Sequence, residues 1–352
     1  MEEADQGFDV EMLADKTAEL LMPLPGQVFW IWASVHSLDL IQALAYRIRA
    51  QGAFWSLRLI MEPLLRKIGL GVPERFLALV PEHELRWLAD ISAIVEIHDH
   101  GGHVPDVPAA RRRAMGTEWR ALGDEAARRD IRRVSVVNPT PALAAAYGVP
   151  LATLRQRYWQ AIAIDHAALD RQQEEWRALL AQARSVHITS PLGTDLRLRI
   201  EGRPAHLDRD GLPRGEVYIA PHEDSAEGIA IIDRAFIRGR PVEQLRLTFE
   251  AGRLVAMDAP DPVGAEALRE LLAASSGDKD VIAEFAIGMN PGVVEPVGDI
   301  WLDEKMRGSV HIAIGMNERF GGRNRSNLHL DLVIQRPQLW LDEELVVRAG
   351  AL

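Results

Sequence analysis

Five residues in the second half of this chain are of the types that hold a divalent metal: Glu216, Glu284, His311, His329 and Asp331. Glu216 begins G-E-V-Y-I-A-P-H-E-D-S-A-E-G after a glycine, Glu284 sits in V-I-A-E-F-A-I-G, His311 in V-H-I-A-I-G, and the last two in N-L-H-L-D-L. Carboxylates mixed with imidazoles are the usual ligands of such an ion in an enzyme. The gaps between them are 68, 27, 18 and 2 residues, so only His329 and Asp331 are neighbours in sequence. In a strand those two share a face, because side chains alternate with period two. The other three must be delivered by the fold. Each also has a plainer reading. Glu216 at a strand start reads as solvated, and His311 as a satisfied core histidine. Glu284 could be partnered in its apolar frame by an arginine or a proton instead of a metal, since a lone buried carboxylate is costly. The five together point to metal.

Composition narrows the chemistry. The 352 residues contain no cysteine, so thiolate ligands, thiol nucleophiles and disulfides are excluded. Forty Lys+Arg against 51 Asp+Glu leave a net charge of −11, which argues against a nucleic-acid partner. The basic runs Arg111–Arg113 and Arg128–Arg129 read as solvated helix faces. The acidic start M-E-E-A-D-Q-G lacks a signal-peptide pattern, and no apolar run nears the roughly 20 residues that span a bilayer. A cytoplasmic protein without a membrane partner is expected.

The elements that must position these residues fall into two textures. Apolar periodicity and turn residues predict a helix over 8–22, strand 28–33, helix 38–50 and strand 53–60, a βαβ unit that implies a parallel sheet. The alternation continues through strands 92–97 and 133–137. No G-x-G-x-x-G follows the first strand, so a dinucleotide site has no support. Residues 151–183 read as one long helix, or two broken near His166. Beyond them come short alternating segments separated by Gly, Pro and Asp, which is the pattern of hairpins. The expectation is an N-terminal α/β domain with an open parallel sheet over 1–185 and a β-rich α+β catalytic domain over 186–352.

Three further groups stand out. H-D-H-G-G-H, with His98, Asp99, His100 and His103, is a solvated loop or a second metal site. Glu223 and Asp224 follow the Glu216 strand, and Asp303-Glu304-Lys305 offer substrate contacts. Nine tryptophans, seven of them before position 180, read as core.

The blocks G-E-V-Y-I-A-P-H-E-D-S-A-E-G, L-T-F-E-A-G-R-L, A-E-F-A-I-G-M-N-P, D-E-K-M-R-G-S-V-H-I-A-I-G and F-G-G-R-N-R-S-N-L-H-L-D occur in that order between about 211 and 333. In these the chain resembles the aminopeptidase T and aminopeptidase S family of dinuclear metallo-aminopeptidases. The first half matches only in outline. The resemblance implies that Glu216, Glu284, His311, His329 and Asp331 hold two divalent ions (Zn, Co or Mn), with Glu284 as the bridge. It implies a homodimer that removes N-terminal residues from peptides, or cleaves another small amide, using a water activated by the two cations. Glu223, Glu304 and Glu318 are the candidate proton carriers. Glu318 marks a departure, standing where longer members carry a tyrosine, so peptide specificity is not assumed. The chain is also similar to Fe(II)-dependent 2,5-dihydroxypyridine dioxygenases in E-D-S-A-E-G and H-L-D. In those a histidine takes the place of Glu284, and counterparts of Glu216 and His311 are missing. Ring-opening dioxygenation, a related metal-dependent amidohydrolase and a non-catalytic binding module are the alternatives.

Overall fold

The computed structural model describes residues 8–100, 106–237 and 240–352. Asp9 caps α1 (Val10–Leu21) by accepting the Glu11 N–H, and the helix ends at Met22 in the left-handed region, just before Pro23. The apolar run that follows forms β1 (Val28–Ser34), buried at every position after the first. Then come α2 (Leu38–Ala50), β2 (Phe54–Ile60), α3 (Glu62–Gly71), α4 (Glu74–Leu77), α5 (Glu82–Trp87), β3 (Ala93–His98), α6 (Ala109–Arg128) and β4 (Arg132–Val137). The strands pair in parallel in the order β2-β1-β3-β4, and the two-residue strand Gly211–Leu212 adds beside β4. Trp30 and Trp32 share a face of β1 and meet Trp87 and Trp119 edge-on, with ring centroids 5.0 and 5.2 Å apart. The tryptophan core is smaller than expected: Trp30, Trp32 and Trp176 are buried, whereas Trp55 on the edge strand β2 is 43% exposed.

After α7 (Pro141–Tyr147), the periodic segment divides into α8 (Leu151–Ile162) and α9 (His166–Gln182). Asp165 makes the break by capping α9 through the Ala168 N–H. The chain forms two compact units. One runs to Gln156 and includes Asp210–Leu212; the other comprises Arg157–Arg209 and Pro213–Leu352. Position 185 is the first residue of the next strand, whereas the second unit begins at Arg157, so α9 belongs to it, and Leu169, Trp176 and Leu180 join its core.

The second unit contains β5 (Ser185–Thr189), β6 (Asp195–Arg199), β7 (Ala205–Leu207), β9 (Glu216–Ile219), β10 (Glu227–Ile237), β11 (Arg240–Glu250) and β12 (Arg253–Asp258), with Gly211–Leu212 counted as β8 in the first unit. They are followed by α10 (Pro262–Ala274), β13 (Ile282–Gly288), α11 (Ile300–Asp303), β14 (Val310–Gly315), β15 (His329–Ile334), β16 (Gln338–Leu341) and β17 (Glu344–Val347). Two antiparallel sheets result, ordered β12-β11-β10-β6-β5-β16-β17 and β15-β14-β13-β9-β7. Leu196, Ile232 and Leu247 from the first share one core with Ile219, Phe285, Ile312 and Ile334 from the second. Alternation leaves the second sheet's opposite face free for Glu216, Glu284, His311, His329 and Asp331. Among the described residues, no helix is long and apolar enough to cross a membrane.

Candidate metal centre

The register places a small residue opposite each of the five side chains. Glu216 faces Gly288, His311 faces Ala286, Glu284 and Asp331 both face Ala313, and His329 faces Gly315. Directly opposed residues stand close enough to compete for space, so Ala and Gly leave a hollow that longer side chains fill from the rim. A bulge completes the arrangement. Ile282 and Glu284 are two apart and in a regular strand would share a face, yet Ile282 lies in the core and Glu284 faces the hollow. The register shift between them, with Ala283 as the extra residue, makes both possible. The Ile282 and Ala283 carbonyls then accept from the buried amides of Asn324 and Asn317, at 2.8 and 3.2 Å.

Within the hollow, Glu284 faces two imidazoles with different oxygens. Its Oε1 is 3.5 Å from His311 Nε2 and its Oε2 is 3.3 Å from His329 Nε2. His311 Nε2 is also 3.3 Å from Glu216 Oε2, and His329 Nε2 is 3.2 Å from Asp331 Oδ1. Two donor groups result: Glu216, Glu304 and His311, and Glu284, His329 and Asp331, each with ligand atoms within 4.8 Å of one another. The Met316 carbonyl, 2.7 Å from His329 Nδ1, takes that proton and leaves Nε2 as the ligating nitrogen. Phe320 packs edge-on against the same ring at 5.5 Å.

Glu304 and Lys305 reach the hollow because their turn closes on Gly288. A Cβ there would stand 2.2 Å from the Met306 carbonyl oxygen and 2.9 Å from that of Glu304. The Lys305 ammonium, itself buried, lies 2.7 Å from Glu216, 2.8 Å from Glu304 and 3.0 Å from Asp208. Sequence reasoning missed Asp208, which lies in a polar loop without an apolar frame, and the counter-charge role of Lys305. The available signal for Lys305 was rarity: it is one of four lysines in a chain that otherwise uses arginine.

The electrostatics follow from one ammonium shared among three carboxylates. Burial pushes Glu216 up to about 7 and Glu304 up to about 8, against the pull of Lys305. Lys305 is itself buried, but Asp208, Glu216 and Glu304 hold its ammonium well above the usual value. Burial works against charge on His311 too, yet Glu284 and Glu216 carry it up to about 9. Burial alone would raise Asp331, but His329 brings it down to about 2. Glu284 is likewise held below the usual range by the two imidazoles, against burial.

The donor set fits divalent ions. Two donors at about 2.0–2.2 Å from one ion stand roughly 3.4 Å apart at a tetrahedral angle, and the imidazole–carboxylate separations here are 3.2–3.5 Å. Five carboxylates against one ammonium leave four negative charges when both imidazoles are neutral. Two divalent cations would cancel them.

The remaining expected site residues lie elsewhere. Glu223 is bound by Arg203 at 2.5 Å and by the Arg323 N–H at 2.7 Å, on a cleft of about 500 Å³ whose lining includes none of the five. Glu318 is on an exposed turn, 3.1 Å from Arg325. In the first unit, Asp99 is fully buried and accepts from Ser34 and Ser37, while His100 lies 3.4 Å from Glu62. His103 lies outside the described residues.

The family model for thermophilic metalloproteases, M29, matches residues 24–345. The chain belongs to the M29 metalloprotease family. This M29 chain is 27% identical to aminopeptidase T of Thermus aquaticus over 249 residues, 59% of its length and 60% of the relative's. It is 28% identical to a 2,5-dihydroxypyridine 5,6-dioxygenase of Pseudomonas putida over 195 residues, 49% and 55% of the two lengths. The alignments thus span little more than half of either relative. Over whole chains the M29 fold is shared with wild-type AmpT from Thermus thermophilus at a TM-score of 0.79 and 23% identity, covering 97% of this chain and 98% of that one. It is shared with the 2,5-dihydroxypyridine dioxygenase of P. putida KT2440 at 0.67 and 17%, covering 98% and 97%.

Proposed function

We propose that this chain is a metal-dependent aminopeptidase that removes N-terminal residues from peptides. The observation carrying this reading is Glu284, whose two oxygens face the imidazoles of two separate donor groups. Glu216 and His311 would hold one divalent ion, His329 and Asp331 the second, and Glu284 would contribute to both; Zn, Co and Mn all suit such O and N donors. When bound, such ions supply Lewis acidity, polarising a carbonyl and lowering the pKa of a water. The chain's own residues do the rest. Lys305 keeps the Glu216 and Glu304 carboxylates in place, and Met316 fixes the His329 tautomer. Of the three candidate proton carriers, Glu304 alone belongs to a donor group, so it is the one assigned to move a proton to the leaving amine. The proposal includes a cytoplasmic homodimer.

The test is Glu284→Ala. Metal content should fall, and hydrolysis of aminoacyl-anilides should drop by at least a hundredfold, with the circular dichroism spectrum unchanged. Normal turnover by this variant would end the assignment. The dioxygenase relative supports a second reading, ring opening with Fe(II). It calls for oxygen uptake with 2,5-dihydroxypyridine, which the first reading does not.

A further inference from the structure

A cavity of about 130 Å³ adjoins His329 and Asp331 along β15, the edge strand of its sheet. Whole-ligand pockets run to roughly 300–1,000 Å³, so this one has room for a single side chain. It is also slightly smaller than the roughly 150 Å³ cavity that admits benzene. Phe236, Pro296 and Ile300 give it apolar walls. The Phe236 ring is seated on Gly298, where a Cβ would come within 2.3 Å of it. Apart from the two candidate ligands, each charged side chain on the wall has a partner. Asp303 accepts the Val297 and Gly298 N–H groups, both at 2.7 Å, and Arg234 Nε donates to Glu243 at 2.6 Å. A charged side chain entering here would lose water and have to compete with these existing pairs.

We infer that this cavity receives the side chain of the substrate's N-terminal residue and selects neutral aliphatic groups of valine-to-leucine size. The inference rests on the aminopeptidase reading and names the substrate class for that same site. Its position beside two candidate ligands puts an entering side chain next to the carbonyl to be cleaved, and its size and apolar walls set the preference.

The experiment compares alanyl-, valyl-, leucyl-, phenylalanyl-, glutamyl- and lysyl-anilides on the metal-loaded protein. The valyl or leucyl substrate should exceed the phenylalanyl, glutamyl and lysyl ones at least tenfold in kcat/KM. Phe236→Ala, which opens the cavity, should shift the phenylalanyl-to-leucyl ratio upward at least tenfold. Ile300→Phe, which fills it, should bring leucyl turnover down to the alanyl level. Metal content should not change in either variant. Calorimetric binding of free L-leucine and L-phenylalanine should move in the same sense, without turnover. An unchanged rank order in both variants, with metal retained and substrates still cleaved, overturns the cavity assignment and leaves the aminopeptidase reading standing. No cleavage of any anilide by the metal-loaded wild type overturns both.

Discussion

Without divalent ions, this protein's stability should fall as the pH rises from 5 to 8. Without cations, Glu216 and Glu304 titrate at about 7 and about 8, against ordinary values of 4.5, because burial outweighs their share of Lys305. The folded state then binds more protons than the unfolded one between pH 4.5 and 8, so stability falls as pH rises through that window. His311 acts in the same direction: its folded value of about 9 exceeds 6.5, so its contribution is complete below 6.5 and lost on the way to 9. Asp331 and Glu284 have depressed values, and their contribution is already complete at pH 5. At about 1.4 kcal/mol per unit, the two raised glutamates set a ceiling of roughly 8 kcal/mol. Because they share Lys305, a proton on one relieves the other, and a drop of about 4 kcal/mol between pH 5 and 8 is the expected size. Urea unfolding of chelator-treated protein at several pH values measures it. Adding Zn²⁺ or Mn²⁺ at about 100 times its dissociation constant should restore about 2.7 kcal/mol at pH 8. A metal-free stability that stays flat or climbs from pH 5 to 8 would refute the charge accounting.

Three other outcomes are expected. Lys305→Met leaves two buried carboxylates and the half-buried Asp208 without their ammonium and should cost about 3–5 kcal/mol at pH 8 in metal-free protein, shrinking by pH 5.5 as the carboxylates take up protons; equal losses at both pH values in urea unfolding would contradict this. Asn317→Ala strips partners from the Ala283 carbonyl and the Asn324 N–H, so about 1–3 kcal/mol should be lost for each buried group left unpaired, and metal affinity by titration should weaken as the bulge relaxes. Glu223→Gln should leave the pH profile of kcat unaltered while lowering the melting temperature, because Glu223 ties Arg203 and the Arg323 N–H; a displaced basic limb would return it to proton transfer.

Much of the candidate site is legible in the sequence. A charged residue framed by apolar ones, as in A-E-F-A and V-H-I-A, is conspicuous because such frames are buried in strands, and His329 and Asp331 share a face through period two alone. The Ala and Gly residues beside them were printed in the same motifs. Their meaning appears only when register sets Ala313 between Glu284 and Asp331, and Gly288 beneath the Glu304–Lys305 turn.

Sequence by itself determined the kinds of chemistry: no thiols, a surplus of carboxylates, a parallel α/β start and a β-rich end, each following from residue type or local period. Tertiary structure alone decided that Glu284 leaves the core face through a bulge, that Lys305 and Asp208 complete the charge balance, and that Glu223 lies on another cleft. The physical reason is distance along the chain. Side-chain alternation is set within a few residues, whereas strand order, register and the sharing of one ammonium among three carboxylates depend on segments nearly 100 residues apart, Asp208 and Lys305 among them, that meet only when the sheet closes.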